Sequence, residues 1–175
     1  HGVLVYQVVR TDFADGKKTF RQQRPDGQGG WISSIKGIER IPYNLPEILH
    51  HAKRWVWVVE GEKCVERLRE LGIVATTNNG GSGNWGDEHS KWLADRQVIV
   101  VPDNDEAGHK HGAKVVNSLL PVAKEVRLLD LSTELPNKGD IVDWLDSGKT
   151  KQQLASLVKG APAITKPLDD PGEIE

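Results

Sequence analysis

From Trp55 onward, short apolar runs alternate with segments of helical period, a pattern that predicts βαβ units around a parallel sheet. The clearest run is Val98 to Val101, closed by Pro102. Four mostly β-branched residues are too few for a helix and predict a strand buried on both faces. Similar runs predict strands over 55–59, 73–77 and 125–131. Between them, Val65 and Leu68 lie three apart with Gly72 as a stop, and Ala113, Val116 and Leu120 mark a core-facing stripe on a helix over 106–120. A short helix over 87–94, one opening at Asp140 and one over 152–158 complete this part.

Before Trp55 the pattern has period two. Residues 3–10 and 18–24 alternate around the turn Asp15-Gly16. Pro25-Asp26-Gly27-Gln28-Gly29-Gly30 then turns into a third short strand over 31–35, making an antiparallel meander. One helical piece is expected over 45–51. The expected fold class is therefore α/β: a Rossmann-like parallel sheet of about four strands flanked by helices, with a small N-terminal antiparallel β subdomain. The expected boundaries are 1–54 for the subdomain and linker, 55–160 for the sheet domain, and 161–175 for a linker tail rich in Pro and Asp.

Composition narrows the function classes. At 175 residues the chain can bury one proper core. It has no methionine and starts at His1, so it is expected to be a segment of a longer protein. No run approaches the roughly 20 apolar residues of a membrane span, and no membrane partner is expected. The single cysteine, Cys64, excludes an internal disulfide and a cysteine-based zinc site, and fits a reducing cytoplasm. Its position on a helix flank makes it a packed small hydrophobe rather than a nucleophile. Charge is unevenly spread: residues 1–54 carry 9 Lys+Arg against 5 Asp+Glu, and residues 55–175 carry 14 against 20. A basic first part suits a nucleic-acid backbone, with Lys17, Lys18, Arg21 and Arg24 as a phosphate-facing strip, while an acidic second part suits metal ions.

The candidate chemistry sits where predicted strands end. In a parallel sheet the carboxyl ends of the strands face the ligand crevice. There the sequence places Glu60, the glycine loop Asn78-Asn79-Gly80-Gly81-Ser82-Gly83-Asn84-Trp85, and Asp103 with Asp105. Two residues apart on extended chain, the Asp103 and Asp105 carboxylates can point the same way. Hard oxygen ligands of this kind suit Mg²⁺ or Mn²⁺, held by one or two carboxylates plus substrate phosphates and water. The structural alternative is that Asp105 caps the next helix and Asp103 is a solvated loop residue. The glycine loop lets backbone N–H groups approach an anion, yet it is not a Walker A loop, because no Gly-Lys-Ser/Thr follows. Trp85 is read as an anchor for that loop, with base stacking as the alternative. His109 and His111 sit two apart on a helix and share no face, which argues against a two-histidine metal site.

Val58-Val59-Glu60-Gly61-Glu62-Lys63, Thr76-Thr77-Asn78-Asn79-Gly80-Gly81 and Val101-Pro102-Asp103-Asn104-Asp105-Glu106-Ala107-Gly108 together resemble the Toprim domain of primases, topoisomerases and related nucleases. Lys138-Gly139-Asp140-Ile141-Val142-Asp143-Trp144 adds a fourth matching piece. The resemblance is nearest to the Toprim regions of phage and plasmid primase-helicases, and covers roughly residues 55–158. It implies a metal-dependent nucleotidyltransferase domain of a DNA primase, synthesising RNA primers on single-stranded DNA from ribonucleoside triphosphates. Glu60 then corresponds to the family's general acid or base, and Asp103 and Asp105 to its paired metal-binding aspartates, with Asp140 or Asp143 as a further acidic position. Lys63, Lys138 and His109 become candidate phosphate contacts beside Gly80 and Gly81. The zinc-binding module and helicase motor of such proteins are not in this segment and are expected elsewhere in the parent protein. Three alternatives stand beside this reading: a haloacid-dehalogenase-type phosphatase, disfavoured because the first strand ends in Glu60; a strand-cleaving Toprim nuclease or topoisomerase; and a non-catalytic Toprim interaction module.

Overall fold

The computed structural model describes residues 3–169. It divides between Arg40 and Ile41 into two compact units.

The first unit is the expected meander, in the order β1-β2-β3: β1 (Gln7–Asp12), β2 (Lys18–Pro25) and β3 (Trp31–Ile32). β1 and β2 pair antiparallel from Gln7 opposite Gln23 to Asp12 opposite Lys18. Gly16, at φ +81°, closes the turn between them, where Phe13 N–H donates to the Lys17 carbonyl at 2.8 Å. The Asp26 carboxylate accepts from the N–H groups of Gln28 and Gly30 and so shapes the second turn. Two expectations change here. β1 starts at Gln7 rather than Val3, with Val3 and Leu4 left exposed, and β3 has two residues rather than five, because only Trp31 and Ile32 pair with β2, at Pro25 and Arg24. The strip of four cations also does not form. Lys17 lies in the turn, and side chains alternate across the sheet, so Lys18 and Arg24 share one face while Arg21 points from the other.

The second unit carries a four-stranded parallel sheet in the order β5-β4-β6-β7: β4 (Val56–Val58), β5 (Ala75–Thr76), β6 (Gln97–Val100) and β7 (Glu125–Leu128). Helices α1 (Leu45–His50), α2 (Gly61–Glu70), α3 (Asp87–Ser90), α4 (Glu106–Leu119), α5 (Ile141–Asp146) and α6 (Lys151–Gly160) cover both faces, and a 3₁₀ turn at Lys91–Leu93 continues α3. Alternation along the strands divides the core in two. Trp57 and Ile99 join Val59, Val65, Leu68, Trp144 and Leu154 on the face of α2, α5 and α6. Val56, Val58, Val98 and Val100 join Ile48, Trp85, Val115, Val116 and Leu119 on the face of α1, α3 and α4. Such two-sided burial explains why the strands read as continuous apolar runs.

Residues 41–54, expected with the first part, belong to the second unit. Leu45 and Ile48 of α1 are buried in its core. The Arg96 guanidinium holds the end of that helix by donating to the carbonyls of Ile48, His51 and Arg54. The expected linker tail also packs, as far as Leu168. Ala163 bridges Arg127, Ile164 N–H donates to the Val126 carbonyl, and the Asn117 side chain exchanges two hydrogen bonds with the backbone of Leu168. Residues 170–175 of that tail lie outside the described residues.

Candidate active site

The sheet order makes β4 and β6 neighbours from which the chain winds in opposite directions, β4 toward β5 and β6 toward β7. Open α/β sheets bind ligands at this switch point, outside the carboxyl ends of the strands. The register places Val58 beside Val100, and Val101 N–H donates to the Val58 carbonyl at 2.9 Å. Glu60 and Asp103 therefore leave adjacent strands at almost the same level. The rest of the local fold holds them there. Gly61, at φ +76°, turns the chain sharply into α2, and its N–H donates to the Thr77 hydroxyl at the end of β5. Gly108 presses the first turn of α4 onto the Asp103 backbone; a β-carbon there would lie 2.4 Å from the Asp103 carbonyl oxygen.

Glu60 and Asp103 are half-buried and electrostatically coupled. Burial pushes the Glu60 carboxyl above its usual range; the Asp103 backbone N–H draws it back, and the Asp105 charge raises it again. Its Oε1 is sealed from solvent with no hydrogen-bond partner. Asp103 is pushed up to about 7, first by burial and then by the charges of Glu60, Asp140, Asp105 and Asp143. Five acids thus crowd one rim, as the sequence suggested for Glu60, Asp103 and Asp105.

Several of these acids also shape the backbone. Asp105 is the N-cap of α4 and accepts from Gly108 N–H at 2.8 Å, so the capping role expected as an alternative is real and coexists with its place at the rim. The solvated-loop alternative for Asp103 does not hold. Asp140 is the N-cap of α5, accepting from the N–H groups of Val142 and Asp143, while the Asp143 carboxylate accepts from Asp140 N–H. That reciprocal capping orders the loop end. The largely exposed Lys63 ammonium stands 3.8 Å from the Asp140 carboxylate.

Asn104, between the two aspartates, was missed by sequence reasoning and ties the two acidic segments together. Its side-chain amide donates to the carbonyls of Leu135 and Pro136 at 2.9 and 3.0 Å. Its N–H donates to the Gly139 carbonyl, and its own carbonyl accepts from Lys138 N–H. Lys138 takes a left-handed backbone at φ +65° and keeps its side chain exposed. The only signal available was an Asn flanked by strand-end acids. Cys64, 3% exposed in the core, has its thiol pushed up by burial and by the neighbouring Asp140, and so is no nucleophile.

The glycine loop leaves the same end of the sheet from β5. Gly80, Gly81 and Gly83 all have positive φ. Asn78 and Asn84 donate back into the loop at the carbonyls of Gly81 and Gly80. Two side chains of α4 pin Gly83: the Lys114 ammonium donates to its carbonyl, and its N–H donates to His111 Nδ1 at 2.9 Å. Burial lowers His111 to about 4, so the ring is neutral and its proton sits on Nε2. His111 is thus a loop support, whereas His109 lies half-buried one turn into α4. Trp85 is the anchor and not a stacking platform: it is 1% exposed, and its Nε1–H donates to the Ser90 hydroxyl at 2.8 Å.

The donor chemistry fits a divalent cation. Hard carboxylate oxygens crowd together, those of Glu60, Asp140, Asp105 and Asp143 raising Asp103, and one buried oxygen lacks a partner, a repulsion that a bound cation relieves. Among the described residues no three of the His, Cys, Asp and Glu side chains converge closely enough to enclose an ion by themselves. This suits an ion held by one or two carboxylates and completed by water and phosphate oxygens. Among the described residues no helix is long and apolar enough to cross a membrane.

No protein-family model matches the chain, and no curated protein matches it in sequence. Solved structures do match. The Escherichia coli primase catalytic core superposes with a TM-score of 0.58 at 21% identity, over 89% of this chain and 52% of that one. An Aquifex aeolicus primase structure comprising zinc-binding and RNA polymerase domains gives 0.62 at 21% identity, over 90% and 40%. A DnaG primase catalytic domain bound to single-stranded DNA gives 0.57 at 20% identity, over 88% and 58%. The chain spans about half the length of these relatives, and it has the α/β Toprim fold of primase catalytic cores.

Proposed function

We propose that the chain is the nucleotidyl-transferring Toprim domain of a DNA primase of the phage or plasmid primase-helicase type, making RNA primers on a single-stranded DNA template. The observation that carries the proposal is the pairing of Glu60 and Asp103 at the switch point, with a buried, unpartnered Glu60 oxygen and an Asp103 carboxyl pushed to about 7. Carboxylates placed so unfavourably fit a site completed by a cation and its substrate. The primase fold of the structural relatives supports the same reading.

In this proposal Asp103 and Asp105 hold Mg²⁺ or Mn²⁺, with Asp140 and Asp143 on the outer side. When bound, the cation offsets charge on the transferring phosphate and lowers the pKa of the attacking 3′-hydroxyl. Glu60, its carboxyl raised above the usual range by burial, is suited to take and return a proton. Lys63, Lys138 and His109, with the backbone at Gly80 and Gly81, meet the triphosphate. The zinc-binding and helicase modules of such a protein lie outside this chain.

The test supplies the protein with ribonucleoside triphosphates, Mn²⁺ or Mg²⁺ and single-stranded DNA. Glu60→Gln is expected to reduce primer yield by about 100-fold or more, the usual weight of a positioned acid or base. Unchanged yield would reject the assigned role. Calorimetric titration of Mn²⁺ adds a second readout: Asp103→Asn with Asp105→Asn is expected to abolish binding.

A further inference from the structure

Beside the glycine loop, α4 borders a cavity of about 500 Å³ that the acidic rim does not use. Ala107, Lys110, His111 and Lys114 line it from the helix, at the i, i+3, i+4, i+7 spacing of a single helix face. Ser82 and Gly83 line it from the loop. No acid lines it, so Glu60, Asp103 and Asp105 all lie outside its wall.

The polar groups on this wall are donors. His111 is only 4% exposed, and its Nδ1 accepts from Gly83 N–H, which leaves its Nε2–H without a partner among the described residues. A buried donor of that kind costs free energy until something accepts from it. The Lys114 ammonium has three N–H donors, of which one goes to the Gly83 carbonyl, and among the described residues no carboxylate pairs with it. Lys110, one turn earlier, brings a second positive charge; its carboxylate partner Glu106, at 2.8 Å, is exposed and stands outside the wall. Two cations and a neutral N–H on the wall of one space, with no acid among them, select an oxyanion. Ala107, Ala113 and the lysine stems make much of the remaining wall apolar, and Asn117, which also lines it, is committed to the backbone of Leu168. A space of this size, with apolar walls and a few placed polar groups, is the ordinary form of a small-molecule site. A bare phosphate would leave most of it unfilled. A nucleic-acid strand needs cations along a track, and here they are confined to one turn of α4.

We propose that this cavity binds a small organic phosphate of mononucleotide size, the phosphate taken by Lys110, Lys114 and His111 Nε2–H and the organic part by the apolar wall. The site is separate from the acidic rim and goes beyond the activity proposed for that rim. Since Lys114 and His111 also hold Gly83, an occupant is tied to the glycine loop, which leaves the sheet at the same end as Glu60.

The test is calorimetric titration of AMP into the whole chain in EDTA, where the acidic rim holds no cation and repels phosphate. The wild type is expected to bind AMP saturably. Lys110→Gln with Lys114→Gln is expected to weaken binding by about 10-fold or more, the weight of one lost hydrogen bond to a charged group. Ala107→Phe fills the space from an exposed position of α4 while leaving every charge in place, and is expected to lose AMP as well. Lys53→Gln, at an exposed lysine outside the wall, and Asp103→Asn are each expected to change affinity less than about twofold. Circular dichroism checks that each variant is folded. No AMP binding by the wild type, unchanged affinity in the double variant or in Ala107→Phe, or an equal loss in Lys53→Gln would each overturn the proposal. Inorganic phosphate binding as tightly as AMP would overturn the ligand class by showing a bare-anion site, and tighter binding of a 5′-phosphorylated oligo-dT would give the cavity to a nucleic-acid end instead. Loss of AMP in Asp103→Asn would move the nucleotide to the rim. AMP binding that survives Asp103→Asn stands whether or not primer synthesis is found, so the two readings fail separately.

Discussion

Replacing Asp103 by Asn should stabilise the protein, and the gain should grow with pH. The Asp103 carboxyl sits at about 7 against an ordinary 3.8, because burial and four neighbouring acids oppose its ionisation. A carboxyl raised in the folded state binds its proton more tightly there than in the unfolded chain. The unfolded state therefore holds fewer protons between pH 4 and 7, and stability falls as pH rises through that window. Above pH 7 the full cost is present. At 1.36 kcal/mol for each tenfold in proton affinity it is about 4 kcal/mol, and about 2–4 once the proton is shared with Glu60. Asparagine keeps the shape and removes the charge. Urea denaturation in metal-free buffer, followed by tryptophan fluorescence, should show nearly equal stability at pH 4 and a midpoint about 1–2 M higher for the variant at pH 8, with m near 2 kcal/mol/M. Mn²⁺ at pH 8 should stabilise the wild type and leave the variant little changed. The reasoning fails if the variant is offset equally at both pH values, or is less stable than wild type at pH 8.

Asn104→Ala leaves the carbonyls of Leu135 and Pro136 without their amide donor and should cost about 2 kcal/mol by denaturation, with faster proteolysis of the 132–139 loop. Gly108→Ala puts a β-carbon against the Asp103 carbonyl and should cost about 1–3 kcal/mol while weakening Mn²⁺ binding in calorimetry, because the clash is with backbone that carries a rim acid. His111→Asn tests the opposite sign from Asp103. His111 sits at about 4 against an ordinary 6.5, so the unfolded chain takes up a proton first as pH falls, and the wild type should lose about 3 kcal/mol between pH 6.5 and 4 from this group alone. The Asn variant, which keeps an acceptor near the Gly83 N–H, should show an acid limb shallower by that amount.

Some of the site could be read directly from residue order. Glu60 and the Asp103/Asp105 pair announced themselves because each follows a run that can only be a buried strand, and parallel strands all present their carboxyl ends to one rim. Asn104 and His111 could not be read that way. Asn104 acts by reaching carbonyls some 30 residues away, and His111 by accepting from a loop 28 residues earlier. A hydrogen bond of that span leaves no local periodicity. The place of residues 41–54 in the second unit has the same origin, since α1 is held there by Leu45 and Ile48 packing on distant strands and by Arg96, more than 40 residues downstream.

What the residues by themselves determined was the class of fold and the location of its acids: β-branched runs of four or five, helical stripes between them, and carboxylates at strand ends follow from local sterics and from the need to bury apolar surface on both sides of a sheet. Only the tertiary structure decided which strands are neighbours, and hence that Glu60 and Asp103 stand side by side, where burial first and then the charges of Glu60, Asp140, Asp105 and Asp143 raise the Asp103 carboxyl to about 7. It alone decided, too, that Arg21 faces away from Lys18 and Arg24, because side-chain direction in a strand depends on register and on where the strand begins.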